Sequence, residues 1–205
     1  MNDRKEAENE KKKVQENGVN FSEAWGEYLA ERANEDSDSG DRIEGDIYAE
    51  GKRAVITVDD MKQTIEYYAI QGISEEEAEK QAYEYMKESA SLYQEALEQG
   101  YSVTDEEVRS YVESLKEMMS SEELDEISRE QIDNVISGFG NEEEYWKYQE
   151  EVYQELLVSQ KYVGDLQRKF YEDGANGQEE WISYFENFKR KLVEEEDFQI
   201  VGELK

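Results

Sequence analysis

No proline occurs anywhere in the 205 residues of this chain. At ordinary usage of about 5%, roughly ten would be expected. Proline removes a backbone donor and its ring clashes with the preceding turn, so a helix interior rarely tolerates it. A backbone that never uses it is free to run in long helices, with glycines and capping side chains as the only punctuation. The chain is therefore expected to be mainly α.

That punctuation is regular from Arg53 onward. Ala54 to Thr57 (AVIT) is a short β-type run, and Thr57 then caps a helix carrying Met61, Ile65, Tyr68 and Ala69 that Gly72 ends. Ser74 and Glu77 have the spacing of a capping box. They open a helix with Ala78, Ala82, Tyr85, Met86, Ala90, Tyr93 and Leu97 on one face as far as Gly100. Thr104 and Glu107 repeat the device ahead of Val108, Tyr111, Val112, Leu115, Met118 and Met119. Leu124, Ile127, Ile132, Val135 and Ile136 predict one or two shorter helices ending at the glycines of SGFG. Asn141 with Glu144 caps the longest segment, in which Tyr145, Val152, Leu156, Val163, Leu166 and Phe170 lead to the turn DGANG at 173–177. A helix of about 30 residues is about 45 Å long, which implies an elongated body or an arm laid along another helix. A last helix over 178–195 returns with Trp181, Tyr184, Phe185, Phe188 and Leu192 in one stripe, a face that must cover an apolar core. The run FQIV at 198–201 is expected to pair as a small strand with 54–57.

The N-terminal quarter differs. Residues 1–33 form a charged extension whose Phe21, Trp25, Tyr28 and Leu29 recur at helical spacing, the sign of a short amphipathic helix. Residues 34–51 are dense in Asp, Ser and Gly without a period and read as a linker. Asn34, Asp36 and Asp38 alternate as calcium-loop ligands do, but Ser39 stands at the required glycine position and Gly45 where a bidentate Glu belongs. The expected organisation is an extension (1–33), a linker (34–51) and a helical domain (52–201).

Side-chain chemistry is narrowly bounded. The chain has no Cys and no His, which excludes disulfides, thiolate nucleophiles, zinc ribbons and the commonest general base. It contains no G-x-S-x-G, P-loop or G-x-G-x-x-G motif. With 54 acidic residues, carboxylate pairs arise at every spacing and mark no site. No catalytic residue, cofactor or metal is expected. Against 23 basic residues the net charge is −31, which repels phosphate backbones and anionic lipid, so nucleic-acid binding is disfavoured. No run approaches the roughly 20 apolar residues of a membrane span, so membrane insertion is not expected.

The aromatics carry the functional signal: 15 Tyr, 3 Trp and 6 Phe, with 5 Met. Most must build the core. Tyr, Trp and Met also suit an adaptable groove for apolar peptides, and adjacent Met118 and Met119 cannot both face inward from one helix. The candidate peptide-binding residues are Tyr67, Tyr68, Met86, Tyr93, Tyr111, Met118, Met119, Tyr145, Trp146 and Tyr153.

The order of segments resembles the N-terminal chaperone region of SurA- and PrsA-type extracytoplasmic foldases. Ile56, Thr57, Asp60 and Met61 match that family's strand leading into a first helix, and Ala96 with Gly100 the end of its second. Val103 to Val108 match the turn into the third, and Leu156 to Tyr162 the end of its long helix, so that the resemblance spans about 52–201. Members often insert a parvulin prolyl-isomerase domain after the long helix. Here Asp173 to Gly177 leaves room only for a turn, and the missing histidines agree with the absence of that domain. The resemblance implies a non-enzymatic holdase that binds unfolded or extended polypeptides and acts in the cell envelope or outside the cell. Read with Met1 as its start, the chain carries no signal or anchor and would be cytoplasmic. The alternative expectation is an acidic interaction module, specific for one partner or mimicking DNA. A homodimer is compatible with either.

Overall fold

The computed structural model describes residues 20–33, 46–121, 124–172, 174 and 177–204, so the calcium-like residues Asn34, Asp36 and Asp38 lie outside the described part. Helix α1 covers residues 20–33. It is followed by β1 (Ile47–Glu50), β2 (Val55–Thr57), α2 (Val58–Ile70), α3 (Glu75–Glu98), α4 (Asp105–Ser120), α5 (Glu126–Gly138), α6 (Glu142–Glu172), α7 (Gln178–Glu196) and β3 (Gln199–Ile200). Among the described residues the fold is mainly helical, with one antiparallel sheet in the order β2-β1-β3.

The caps explain where most helices begin. Thr57 and Asp60 form a reciprocal capping box at α2, with Asp60 N donating to Thr57 Oγ1 at 3.1 Å. Thr104 and Glu107 repeat it at α4, and Asn141 Oδ1 accepts from Glu144 N at 2.9 Å at the start of α6. Ser74 departs from expectation. It occupies the N-cap position of α3, but its side chain makes no capping hydrogen bond. The stretch from Leu124 to Ile136 yields one helix, capped by Asp125 with bonds from Ile127 N and Ser128 N.

The sheet corrects two readings. Residues 47–50, expected in the linker, form the central strand, and AVIT does not pair with FQIV. Both pair with β1, Ala49 lying opposite Ile56 on one side and Ile200 on the other. β1 carries no period in the sequence because it spans only four residues beside a polar, glycine-rich stretch and does not alternate. The register shifts between Ile47 and Ala49, and Tyr48 and Ala49 are both buried.

The chain forms two compact units, one drawn from residues up to Arg42 with Arg109–Glu151, the other from Ile43–Val108 with Val152–Lys205. In the first, Leu29, Ala30 and Phe139 are the buried core, packed against Trp25, Tyr28, Val135, Tyr145 and Tyr148. The N-terminal aromatic stripe thus rests on α5 and the first turns of α6. α1 and α5 touch backbone to backbone: a Cβ placed at Gly26 would lie 2.7 Å from Val135 Cα, and one at Gly138 would strike the Gly26 carbonyl carbon. The Arg129 guanidinium donates to Met119 O and Ser121 O, satisfying carbonyls at the end of α4.

In the second unit the sheet and α2 and α3 enclose Tyr48, Ala49, Ile56, Val58, Met61 and Ala82. A further cluster of Ala96, Val158 and Tyr162 packs against Leu92, Tyr93, Tyr101, Val103 and Phe188. Between β1 and β2, the turn is held by Glu196, the last residue of α7, whose side chain is fully buried. One carboxylate oxygen accepts from Arg53 N and Ala54 N, the other from Arg53 Nε at 2.7 Å. Arg53 Nη1 reaches on to Glu95 and Glu98 on α3.

Candidate functional site

α2 and α3 pack side by side, and their facing stripes set up the site. Met61 and Ala82 are fully buried, while Ile65, Tyr68, Met86 and Ala90 are half-buried around them. Successive helical residues lie about 100° apart, so when Tyr68 and Met86 turn inward their neighbours Tyr67 and Tyr85 must turn outward. Tyr67 is 41% exposed and Tyr85 55%. The Tyr67 and Tyr68 rings meet edge to face at 5.6 Å. Burial foremost, and then the neighbouring Tyr85 and Tyr67 hydroxyls, pushes the Tyr68 phenol above its usual pKa. It therefore stays a neutral donor through the physiological range. Met86 Sδ lies 3.3 Å from Thr64 Oγ1, whose hydroxyl also reaches Asp60 O at 2.8 Å.

The result is a half-buried Tyr68 and Met86 resting on the sheet core, with the exposed side chains of Tyr67 and Tyr85 close to Tyr68. Such a surface offers rigid aromatic area, a polarizable thioether that adapts to different shapes, and hydroxyls that hydrogen-bond at its edge.

The ten residues singled out from the sequence are shared between the two units. Tyr67, Tyr68 and Met86 come together on α2 and α3. Tyr93 packs instead in the second cluster of the same unit, and Tyr153 is half-buried on α6. In the other unit lie Tyr111, Met118 and Met119 on α4 and Tyr145 and Trp146 on α6. Trp146 is a core residue at 4% exposure, its ring 4.9 Å from Tyr145, its Nε1 donating to Glu142 Oε1 and Lys116 lying over its face. Met118 is 55% exposed and Met119 half-buried, the divided pair that adjacency demands.

Tyr85 is the site residue that sequence reasoning missed. Helical spacing set it on the buried face of α3, yet it sits beside Met86 and the two cannot both point inward. The same adjacency argument that separates Met118 from Met119 would have found it.

Compared with protein-family models, curated proteins and solved structures, the chain matches none. Among the described residues no helix is long and apolar enough to cross a membrane.

Proposed function

We propose that this protein is a non-enzymatic, holdase-like binding module that takes up apolar and aromatic stretches of unfolded or extended polypeptides on the tyrosine face of α2 and α3. One observation carries the reading. Tyr67 and Tyr85 stand exposed next to half-buried Tyr68 and Met86 on a chain of net charge −31. Tyrosine supplies large contact area at a low cost in side-chain entropy, and methionine tolerates varied partners. Each 100 Å² of client apolar surface covered contributes about 2.5 kcal/mol, without nucleotide. The acidic surround discourages aggregation of loaded molecules through like-charge repulsion. The segment order shared with the SurA and PrsA type supports the same reading and, with it, an extracytoplasmic site of action.

Light scattering from a chemically denatured client, diluted into buffer with a several-fold excess of this protein, tests it. The wild-type chain is expected to suppress aggregation and the Tyr67→Ser, Tyr85→Ser double variant to lose most of that effect. Suppression should change little between about 0.05 and 0.5 M salt, because burial of apolar surface is not screened. No suppression by the wild type would sink the reading. Binding that collapses over that salt range would instead favour an acidic module for a basic partner.

A further inference from the structure

The excess negative charge is not spread along the whole chain. From Leu156 to Val193, the second half of α6 and most of α7, there are six Lys or Arg and six Asp or Glu, so all 31 excess negative charges lie outside this segment. Two aromatic rings are left at its surface. Tyr171 is 39% exposed and Tyr184 40%, and both rings rest on Phe170, at 5.6 and 4.9 Å.

The arrangement on α7 is ordered. Trp181, Phe185, Phe188 and Leu192 are buried or half-buried, whereas Glu180, Tyr184, Asn187 and Lys191 form an exposed stripe beside them. Read along the helix, that stripe has an acid at one end, an aromatic ring and an amide in the middle, and a base at the other end. A stripe of this kind is complementary to itself when reversed. Turned antiparallel, Glu180 meets Lys191, Tyr184 meets Asn187, and the two sets of pairs share one centre between Phe185 and Glu186. About 16 Å separates the ends, so both ion pairs can form at once.

We propose that this face of α7 docks on α7 of a second copy of the chain, the helices running antiparallel across a two-fold axis. A two-fold contact uses the same patch twice, and charge complementarity within the patch is what such a contact requires. A contact built on the rest of the chain would draw on the part that carries the net charge of −31. On this neutral segment, at physiological ionic strength, the charge elsewhere is screened beyond about 8 Å and the local pattern governs.

Sedimentation equilibrium of the full chain in about 0.15 M salt tests the proposal. The wild type should dimerise with concentration. Glu180→Lys and Lys191→Glu should each raise the dissociation constant about tenfold, since each change converts two attractive pairs into repulsive ones. The Glu180→Lys, Lys191→Glu double variant restores both pairs with signs exchanged and should return the constant close to wild type. Circular dichroism confirms that each variant folds. A chain that stays monomeric throughout, or a dimer that the single changes leave alone or the double change does not rescue, overturns the proposal. Client binding is read separately through Tyr67 and Tyr85, so these charge changes should leave aggregation suppression intact.

Discussion

Glu196 has no exposed surface, yet it is one acid among 54 and nothing in its sequence neighbourhood, Glu194 to Asp197, sets it apart. Its role comes from residues more than 140 positions away, where the β1–β2 turn presents the backbone N–H groups of Arg53 and Ala54 and the guanidinium of Arg53. In a chain so short of cations, Arg53 serves three carboxylates, Glu95, Glu98 and Glu196. Glu196→Ala removes the acceptor for all three donors at once: the Ala54 N–H is left enclosed, while the partly exposed Arg53 guanidinium keeps Glu95 and Glu98. Leaving a buried donor without its acceptor costs about 1–3 kcal/mol. Urea unfolding should show a loss of that size. Glu196→Gln, which keeps an acceptor oxygen, should lose less.

α1 and α5 approach each other backbone to backbone, made possible by Gly26 and Gly138 on the facing sides. Gly138→Ala would drive a methyl group into the backbone of residue 26, which cannot yield as a flexible side chain could. Overpacking of this kind costs about 1–3 kcal/mol even where propensity favours alanine in a helix. Thermal unfolding should therefore show a lower midpoint for the variant, with the Leu29 and Phe139 core affected first. Element positions themselves were largely readable in the sequence. Thr57, Thr104 and Asn141 act as caps where their spacing placed them, and α6 and α7 begin within a residue of expectation. Such signals are local, and local hydrogen bonds decide them. β1 was not readable, because four residues with two consecutive buried side chains carry no period and are defined only by strands far away in sequence. For the candidate site, the residue types on α2 and α3 were readable and the outward turn of Tyr85 was not. Helical spacing fixes a face only to within the width of one side chain, and packing against Met86 makes the choice.

For the molecule as a whole, the net charge of −31 opposes compaction, since charges dilute in an extended chain. Raising salt from about 0.01 to 0.5 M shortens the screening length from about 30 Å to a few ångströms. The melting midpoint should rise by about 3 °C or more, equivalent to roughly 1 kcal/mol for a chain of this length. A fold held mainly by its exposed ion pairs would respond in the opposite direction, so a scanning-calorimetry series decides the sign. The order of the sheet has a different consequence. Because β1 lies between β2 and β3, one edge of residues 47–50 has its partner at once, and the other must wait for residues 199–200. At synthesis rates of about 5–20 residues per second, that wait lasts roughly 7–30 s. During translation the open edge of β1 is a template on which any passing extended chain could pair. Until Glu196 emerges to bind the turn at Arg53, the growing protein is itself in the condition of the clients proposed for it.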